Sequence, residues 1–316
     1  MGFQLGTIAL TVYQTTQGNA ITDELLQKFA FIPIDGTAQE RGEGLTPFDT
    51  PLDPASWPMA HNFAGYFALF CLRVDTRRVP GAVMKKHLAE AFAKECESAA
   101  KAFISKTRKS EIKEQVKLRL LAKTEPAPSI VDVAVDLMSG RVFFGSVSSK
   151  AKETFEALWF AMMGEKLVEQ TPETLLEDPF GEGFGVRFLT AAYHDGIKID
   201  GGETLLTVEN KATLHSTMTT VAVTTDDLGN VGEAVKQLAG AQVVKAKVHV
   251  ERQEDHYDLT LTPDFGMTGI KLPKTEPKAD DDDPDGVILE RLYLLGQVVD
   301  VLHRALRETV KVEKAA

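Results

Sequence analysis

Apolar and polar residues alternate along residues 3–13, near the start of the chain. Side chains of a strand point to opposite faces in turn, so this spacing predicts a strand. A helix is predicted to begin after Thr22, whose hydroxyl can cap its first turn. Glycines and prolines then interrupt residues 33–58, which predicts an ordered loop without regular structure, before a second, almost wholly apolar strand at residues 66–74.

After Pro80 the apolar residues recur every three or four positions, which is the period of an α-helix. The pattern then breaks, and Ser110 can cap a second helix. Two helices joined by a short turn form a hairpin, so residues 81–123 are predicted to be an inserted helical tip.

Strict alternation returns over residues 130–136 and predicts a strand with its valines directed inward. A serine and a glycine then form a turn signal, so residues 141–147 are predicted to complete a β-hairpin. A helix capped by Ser149 and ended by Gly164 is predicted next. The outward positions of the strand at residues 130–136 are Asp132, Ala134 and Asp136.

The second half of the chain contains a predicted strand pair at residues 242–251 and 257–262 and a long helix at residues 287–310. This helix carries apolar residues at alternating steps of four and three, the spacing of a seam that packs on another element. The partner can lie in the same chain or in a second subunit, and both alternatives stay open. The candidate dimer contacts on this seam are Leu295, Val299, Leu302 and Leu306.

Together these elements predict an α+β protein with antiparallel sheets. With 316 residues, of which 43% are hydrophobic, the chain is long enough for about two domains with sizeable cores. Residues 1–80 and 124–170 are predicted to form one domain, interrupted by the helical tip at 81–123. Residues 171–316 are predicted to form a base domain that ends in the long helix.

Charged residues are distributed unevenly along the chain. The total is −11, yet residues 77–123 hold 13 lysines and arginines against five glutamates, a net of +8. The remainder holds 22 basic residues (35 minus 13) against 41 acidic ones (46 minus 5), a net of −19. A protein of negative total charge can therefore present a basic surface to a polyanion.

The predicted second helix of the tip carries a stripe of cations, with Lys109, Lys113 and Lys117 four residues apart. Binding to a phosphate backbone needs many accessible cations and no precise constellation, so the stripe indicates sequence-independent DNA binding. Aromatic residues do not alternate with the lysines, which argues against stacking of single-stranded bases. A merely solvated helical arm and a docking surface for an acidic protein partner are the alternatives.

Candidates for other chemistry are weaker. Asp132 and Asp136 share a strand face, as the carboxylates of a metal-dependent nuclease would, but the usual third acid and lysine are missing nearby. His249 and His256 lie on facing strands without a metal-binding spacing, which favours ordinary surface positions. The glycines at 181, 183 and 185 lack the preceding strand and the following helix of a phosphate-binding loop, which predicts an ordinary loop. We therefore predict no catalytic residue, metal or cofactor.

The chain also lacks an apolar run near the roughly 20 residues of a membrane span. Cys71 and Cys96 have no framework spacing, which predicts reduced thiols. These features favour a cytoplasmic location.

Five segments follow one another in a distinctive order. In the first half they are FAFIPIDG (29–36), RRVPGAVMKKHLAEAF (77–92), SKTRKSEIKEQVKLRLL (105–121) and DLMSGRVFFGSVSSKAKETFEALWFAMMG (136–164). The second half adds GAQVVKAKVHVERQEDHYDLTLTPDFGMTGIKL (240–272). In this order the chain resembles the recombination-associated protein RdgC family, most strongly over residues 29–164.

The resemblance implies a horseshoe-shaped α+β protomer with a protruding basic helical hairpin. Two protomers would pair into a homodimeric ring, through the hairpin at one end and the C-terminal part at the other, with double-stranded DNA in a positively charged hole. Such a protein binds DNA without sequence preference, restrains RecA-dependent recombination at the nucleoid, and has no enzymatic activity.

The chain departs from the family pattern in two segments. After Leu121 the family continues with a proline, a basic residue and a phenylalanine, in a segment linked to DNA engagement and ring closure, and here only Lys123 matches. A paired-lysine segment of the family falls near Lys211, where one cation is kept. The expected DNA-binding residues are Lys101, Lys106, Arg108, Lys109, Lys113, Lys117, Lys123 and Lys211.

Overall fold

The structure of this protein is a computed structural model. It describes residues 2–4, 6–53, 55–63, 66–98, 103–176, 183–194, 196–215, 220–224, 242–252, 255–273 and 284–315. Over these residues the protein is an α+β structure with a large antiparallel sheet, which confirms the predicted fold class. In the same part of the chain no helix is both long enough and apolar enough to cross a membrane.

Runs of strands are interspersed with helices along the chain. The first seven are β1 (Ile8–Gln14), β2 (Arg41–Pro47), β3 (His61–Phe63), β4 (Phe67–Thr76), β5 (Ala127–Asp136), β6 (Arg141–Phe144) and β7 (Val168–Glu169). The others are β8 (Ile197–Ile199), β9 (Thr204–His215), β10 (Thr220–Thr224), β11 (Gln242–Arg252), β12 (Asp255–Leu261) and β13 (Met267–Lys271).

The helices lie between some of these strands and after the last one. They are α1 (Asp23–Lys28), α2 (Gly81–Ser98), α3 (Lys106–Leu121), α4 (Ser149–Met163), α5 (Pro172–Leu175), α6 (Phe184–His194) and α7 (Pro284–Ala315). Two short 3₁₀ turns lie at Gly18–Ala20 and Asp200–Gly202.

The chain folds into two compact units. Unit 1 contains Met1–Ile21, Asn62–Ala68 and Asp132–Ala316, and unit 2 contains Thr22–His61 and Leu69–Val131. The residues of each unit are grouped because they are compact in space. The separation of residues 171–316 and of the helical tip as domains stays a prediction.

The sheet of unit 1 is organised around β1. Its strand order is β10, β9, β11, β12, β13, β1, β6. β1 pairs with β13 through Ile8 and Ile270 and with β6 through Thr11 and Phe144, both antiparallel. Neighbours on both sides satisfy the backbone of β1, and its apolar side chains are buried. The strand predicted from alternation is therefore confirmed and lies inside the sheet.

The core of unit 1 contains an aromatic cluster between β6 and α4. Phe155 stacks on Phe144 with ring centroids 4.7 Å apart, and Trp159 is fully buried beside it. Gly164 ends α4 with a φ of 73°, a left-handed conformation that glycine adopts readily, as predicted. The N-cap is Ser148, so Ser149 is the first helical residue and not the cap.

α7 buries its predicted seam within unit 1, where it contacts β8 and α6. Of the two alternatives for the seam, packing within its own chain is therefore present. The homodimer, and a dimer contact through α7, stay predictions. The candidate contacts Leu295, Val299, Leu302 and Leu306 are each at most 1% exposed.

Unit 2 begins with α1, whose predicted cap is confirmed, since the Thr22 hydroxyl accepts a hydrogen bond from the Leu25 amide. The loop predicted for residues 33–58 is wrong in part, because β2 forms there and pairs with β4. β2 lies at the end of the strand order, where a proline is tolerated. A Cβ on Gly44 would lie 2.4 Å from the Cα of Phe31, so glycine permits this close approach.

Two further predictions need correction. α3 begins at Lys106, four residues before Ser110, and its N-cap is Ser105, whose extended backbone and hydroxyl suit that role. Ala134 does not point outward, since Val133, Ala134 and Val135 are all fully buried and both faces of β5 are covered there. A strand covered on both faces loses the alternation that sequence reading relies on.

The N-cap assignment leads to a test with matched serines. Ser105→Ala removes the hydrogen bond to the Arg108 amide and should destabilise unit 2 by about 1 kcal/mol. Ser110→Ala lies inside α3, where alanine is the better helix former, and should be neutral or slightly stabilising. Urea unfolding followed by circular dichroism measures both, and the reverse order would contradict the assigned start of α3.

Candidate nucleic-acid interface

α2 and α3 pack against each other within unit 2 through a small apolar cluster. Ile112, Val116 and Leu120 follow at intervals of four along α3 and are buried. Partly buried apolar residues of α2 complete the cluster, among them Leu88 and Phe92. The two helices predicted after Pro80 are thus present and in contact. Their apolar positions face each other, which leaves the basic positions toward solvent.

Three of the predicted lysines on α3 are exposed: Lys106, Lys109 and Lys113. Spacings of three and four place them along one side of the helix. The Lys109 ammonium lies 5.5 Å from the ring centroid of Phe103, which is 76% exposed. In the sequence, Phe103 falls within the apolar pattern that predicts helix after Pro80. Its position three residues before Lys106 was the available sign of an aromatic ring beside these cations.

Arg108 serves the packing of the two helices. Its Nε donates to Glu95 Oε1 at 2.7 Å, its Nη2 to Glu95 Oε2, and its Nη1 to Glu111 Oε2 at 2.9 Å. The hydrogen bond from Arg108 lowers the pKa of Glu95, and the bonds to Glu95 and then Glu111 raise the pKa of Arg108. The link between α2 and α3 therefore holds at neutral pH and weakens as the pH falls through the lowered pKa of Glu95.

Lys117 is also engaged within unit 2. Its ammonium forms an ion pair with Glu40, and this hydrogen bond raises the pKa of Lys117. A phosphate group would have to compete with that carboxylate. Among the expected contacts on α3, Arg108 and Lys117 thus have protein partners, whereas Lys106 and Lys113 are exposed without an ion pair to any described residue.

The remaining expected contacts are spread along the chain. Lys123 is exposed just after the end of α3. Lys211 is exposed on β9, which belongs to unit 1. Lys101 lies outside the described residues. DNA contact at each of the eight positions stays a prediction.

The two aspartates of the nuclease alternative have structural roles. Asp132 accepts a hydrogen bond from the Phe3 amide at 2.9 Å. Asp136 accepts from Met138 N, Ser139 N and Ser139 Oγ and so holds the turn before β6. Four residues of strand separate the two by about 13 Å, too far for both to bind one metal ion.

The histidines of the strand pair face each other across β11 and β12. The His249 and His256 rings stack with centroids 5.5 Å apart, and His249 Nδ1 lies 2.8 Å from Asp258 Oδ1. In the described part of the chain no group of three or more histidine, cysteine or acidic residues is arranged to hold a metal ion.

The glycine cluster after residue 180 differs from its prediction. Gly181 lies outside the described residues, but α6 does follow the cluster. Gly185 belongs to this helix, and a Cβ there would lie 1.9 Å from the carbonyl oxygen of Pro263. The glycine thus allows α6 to pack closely against the segment after β12.

The fold and these side chains define an α+β protein that carries exposed cations on a pair of packed helices. Residues 9–176 match the family described as "Putative exonuclease, RdgC". The match covers more than half of the chain, so the protein belongs to the RdgC family, and the resemblance inferred from the order of its segments is confirmed. No curated protein matches the chain.

The structural role of Arg108 can be separated from a role in DNA contact. Arg108→Gln removes the bonds to Glu95 and should increase amide hydrogen exchange near the facing ends of α2 and α3. Lys106→Gln removes a cation from the same turn and should leave exchange unchanged. Hydrogen exchange mass spectrometry compares the two variants. Equal exchange in both would show that the arginine does not hold the helices together.

Proposed function

We propose that this protein binds double-stranded DNA without sequence preference and does so without catalysing a reaction. The observation that carries the proposal is the exposed row of Lys106, Lys109 and Lys113 on α3, in a chain of the RdgC family. Cations that reach phosphates from one side of a helix contact the backbone but do not read base edges. Counterion release then supplies the affinity.

We further propose that two chains form a ring around the duplex and restrain RecA-dependent recombination by occupying it. Family membership supports this mode. A second consideration supports it as well: Arg108 and Lys117 have acidic partners, so fewer cations of α3 remain for phosphate. A closed ring retains DNA by topology and therefore needs fewer strong contacts than an open surface does.

The decisive experiment is binding to a linear duplex, a covalently closed circle and a single strand across a salt series, with the molar mass recorded alongside. The proposal expects a dimer that binds duplex and releases it steeply as salt rises. A ring that cannot open would also bind linear duplex and fail on the closed circle. Absence of duplex binding at low salt would refute the proposal.

The lysines of α3 are tested by reversing their charge. Lys106→Glu, Lys109→Glu and Lys113→Glu together should weaken duplex binding and flatten the slope of log affinity against log salt. Each phosphate contact contributes about 0.9 to that slope, so the triple variant should lose about 2.7. Fluorescence anisotropy with a labelled duplex measures both quantities.

A matched control changes the net charge by the same amount elsewhere. Lys150, Lys198 and Lys245 are exposed residues of unit 1, and replacing all three with glutamate keeps the lysines of α3 intact. This variant should retain nearly the full salt slope. If both triple variants lose the same slope, total charge governs binding and the α3 site is wrong.

A metal-dependent exonuclease is the second candidate function, and the description of the family as an exonuclease favours it. Its candidate residues are Asp132 and Asp136, whose hydrogen bonds to the backbone argue for structural roles. The test is incubation of end-labelled DNA with Mg²⁺ or Mn²⁺. Loss of label that Asp132→Ala or Asp136→Ala abolishes would establish the exonuclease, whereas intact DNA in every reaction is the result expected of a pure binding protein.

A further inference from the structure

A second cationic site belongs entirely to unit 1. A cavity of about 650 Å³ lies between α7 and the strands β6 and β11. Its volume falls within the range of roughly 300–1,000 Å³ found for small-molecule pockets. The lining residues that matter chemically are Arg141, Arg252, Arg304, Arg307, Phe67 and Tyr293.

The charges around this cavity do not balance. Four arginines face two carboxylates, Asp136 and Asp300. Asp136 already accepts hydrogen bonds from the turn that follows β5, and Asp300 accepts one from Arg141 Nη2 at 2.7 Å. The acidic groups that line the cavity are thus committed within the protein, and the lining contains more guanidinium groups than carboxylates in an otherwise acidic chain.

The pKa of His303 is affected by the same positive charge. This residue lines the cavity from α7. Burial first, and the nearby charge of Arg141 second, lower its pKa to about 4, although Asp300 acts in the opposite direction. The imidazole is therefore neutral near pH 7 and adds hydrogen-bonding capacity without adding to the charge.

The cavity also offers apolar, planar surface and open space. The Phe67 ring packs 6.5 Å from the ring of Phe143, and Tyr293 is 64% exposed on α7. Gly296 lies one turn further along the same helix, and a Cβ there would approach only Arg141 Nη1, at 3.9 Å. A glycine weakens the interior of a helix, and here its missing side chain leaves this wall of the cavity open.

We propose that this cavity binds a nucleotide, with the arginines on its phosphate and with Phe67 and Tyr293 against its base. Guanidinium groups present paired donors that match phosphate oxygens. Aromatic rings stack on any base, so the base type should matter little. The nucleotide can be free or can be the 5′-phosphorylated end of a DNA strand. The site goes beyond duplex binding and does not depend on the lysines of α3.

Isothermal titration calorimetry of the full chain with dAMP, deoxyadenosine and inorganic phosphate tests the site. We expect one dAMP per chain, and at least tenfold weaker binding of deoxyadenosine and of phosphate, because each lacks half of the contacts. Arg304→Gln with Arg307→Gln should weaken dAMP binding about tenfold or more. Lys311→Gln removes a cation of α7 outside the cavity and should change nothing.

Three results would overturn the site: no saturable binding of dAMP, equal affinity for dAMP and inorganic phosphate, or undiminished binding by the double arginine variant. Circular dichroism of that variant guards against a loss caused by unfolding. Single-stranded oligonucleotides with a 5′-phosphate or a 5′-hydroxyl then distinguish the sources. Preference for the phosphorylated strand assigns the site to DNA ends, and equal weak binding of both assigns it to free nucleotides.

The result for the nucleotide site can be distinguished from the result for duplex binding. The double arginine variant should bind a long duplex with an unchanged salt slope, since the lysines of α3 remain. The triple lysine variant should in turn bind dAMP normally. Loss of both activities in either variant would contradict two separate sites.

Discussion

The pairing of β1 with two strands that lie far apart in the sequence is the constraint on which unit 1 depends. β13 contributes one neighbour and β6 the other, although more than 120 residues separate those two strands along the chain. The aromatic core under α4 and the cavity beside α7 are both built on this sheet. β1 therefore has to pair with β13, far along the chain, before the sheet of unit 1 is complete. Such distant pairing gives this unit a high contact order.

Acidic residues determine how many of the cations in residues 77–123 remain available to a ligand. The 13 cations of residues 77–123 are a property of the sequence, but Glu95, Glu111 and Glu40 engage two of those on α3. An arginine between two carboxylates stabilises the protein locally and contributes less to an outside phosphate. Net charge over a segment thus overstates the charge that a ligand meets.

Regular hydrophobic periods and helix caps allowed much of the fold to be predicted from the sequence. The strand β1, the cap at Thr22, the glycine end of α4 and the seam of α7 appear in the structure as predicted. The failure to predict β2 has a physical origin. β2 contains glycines and a proline that normally break structure, and it is held by pairing with β4 and by the close approach at Gly44. Contacts between distant segments override local preference.

The sequence by itself determined the classes of element, the concentration of positive charge and membership of the RdgC family, because periods, composition and segment order are local properties of a chain. Only the tertiary structure decided which cations are exposed and which are engaged. It also gathered Arg141, Arg252, Arg304 and Arg307 around one cavity from three separate elements. Ion pairs and cavities depend on distances through space, and the spacing of residues along the chain does not contain those distances.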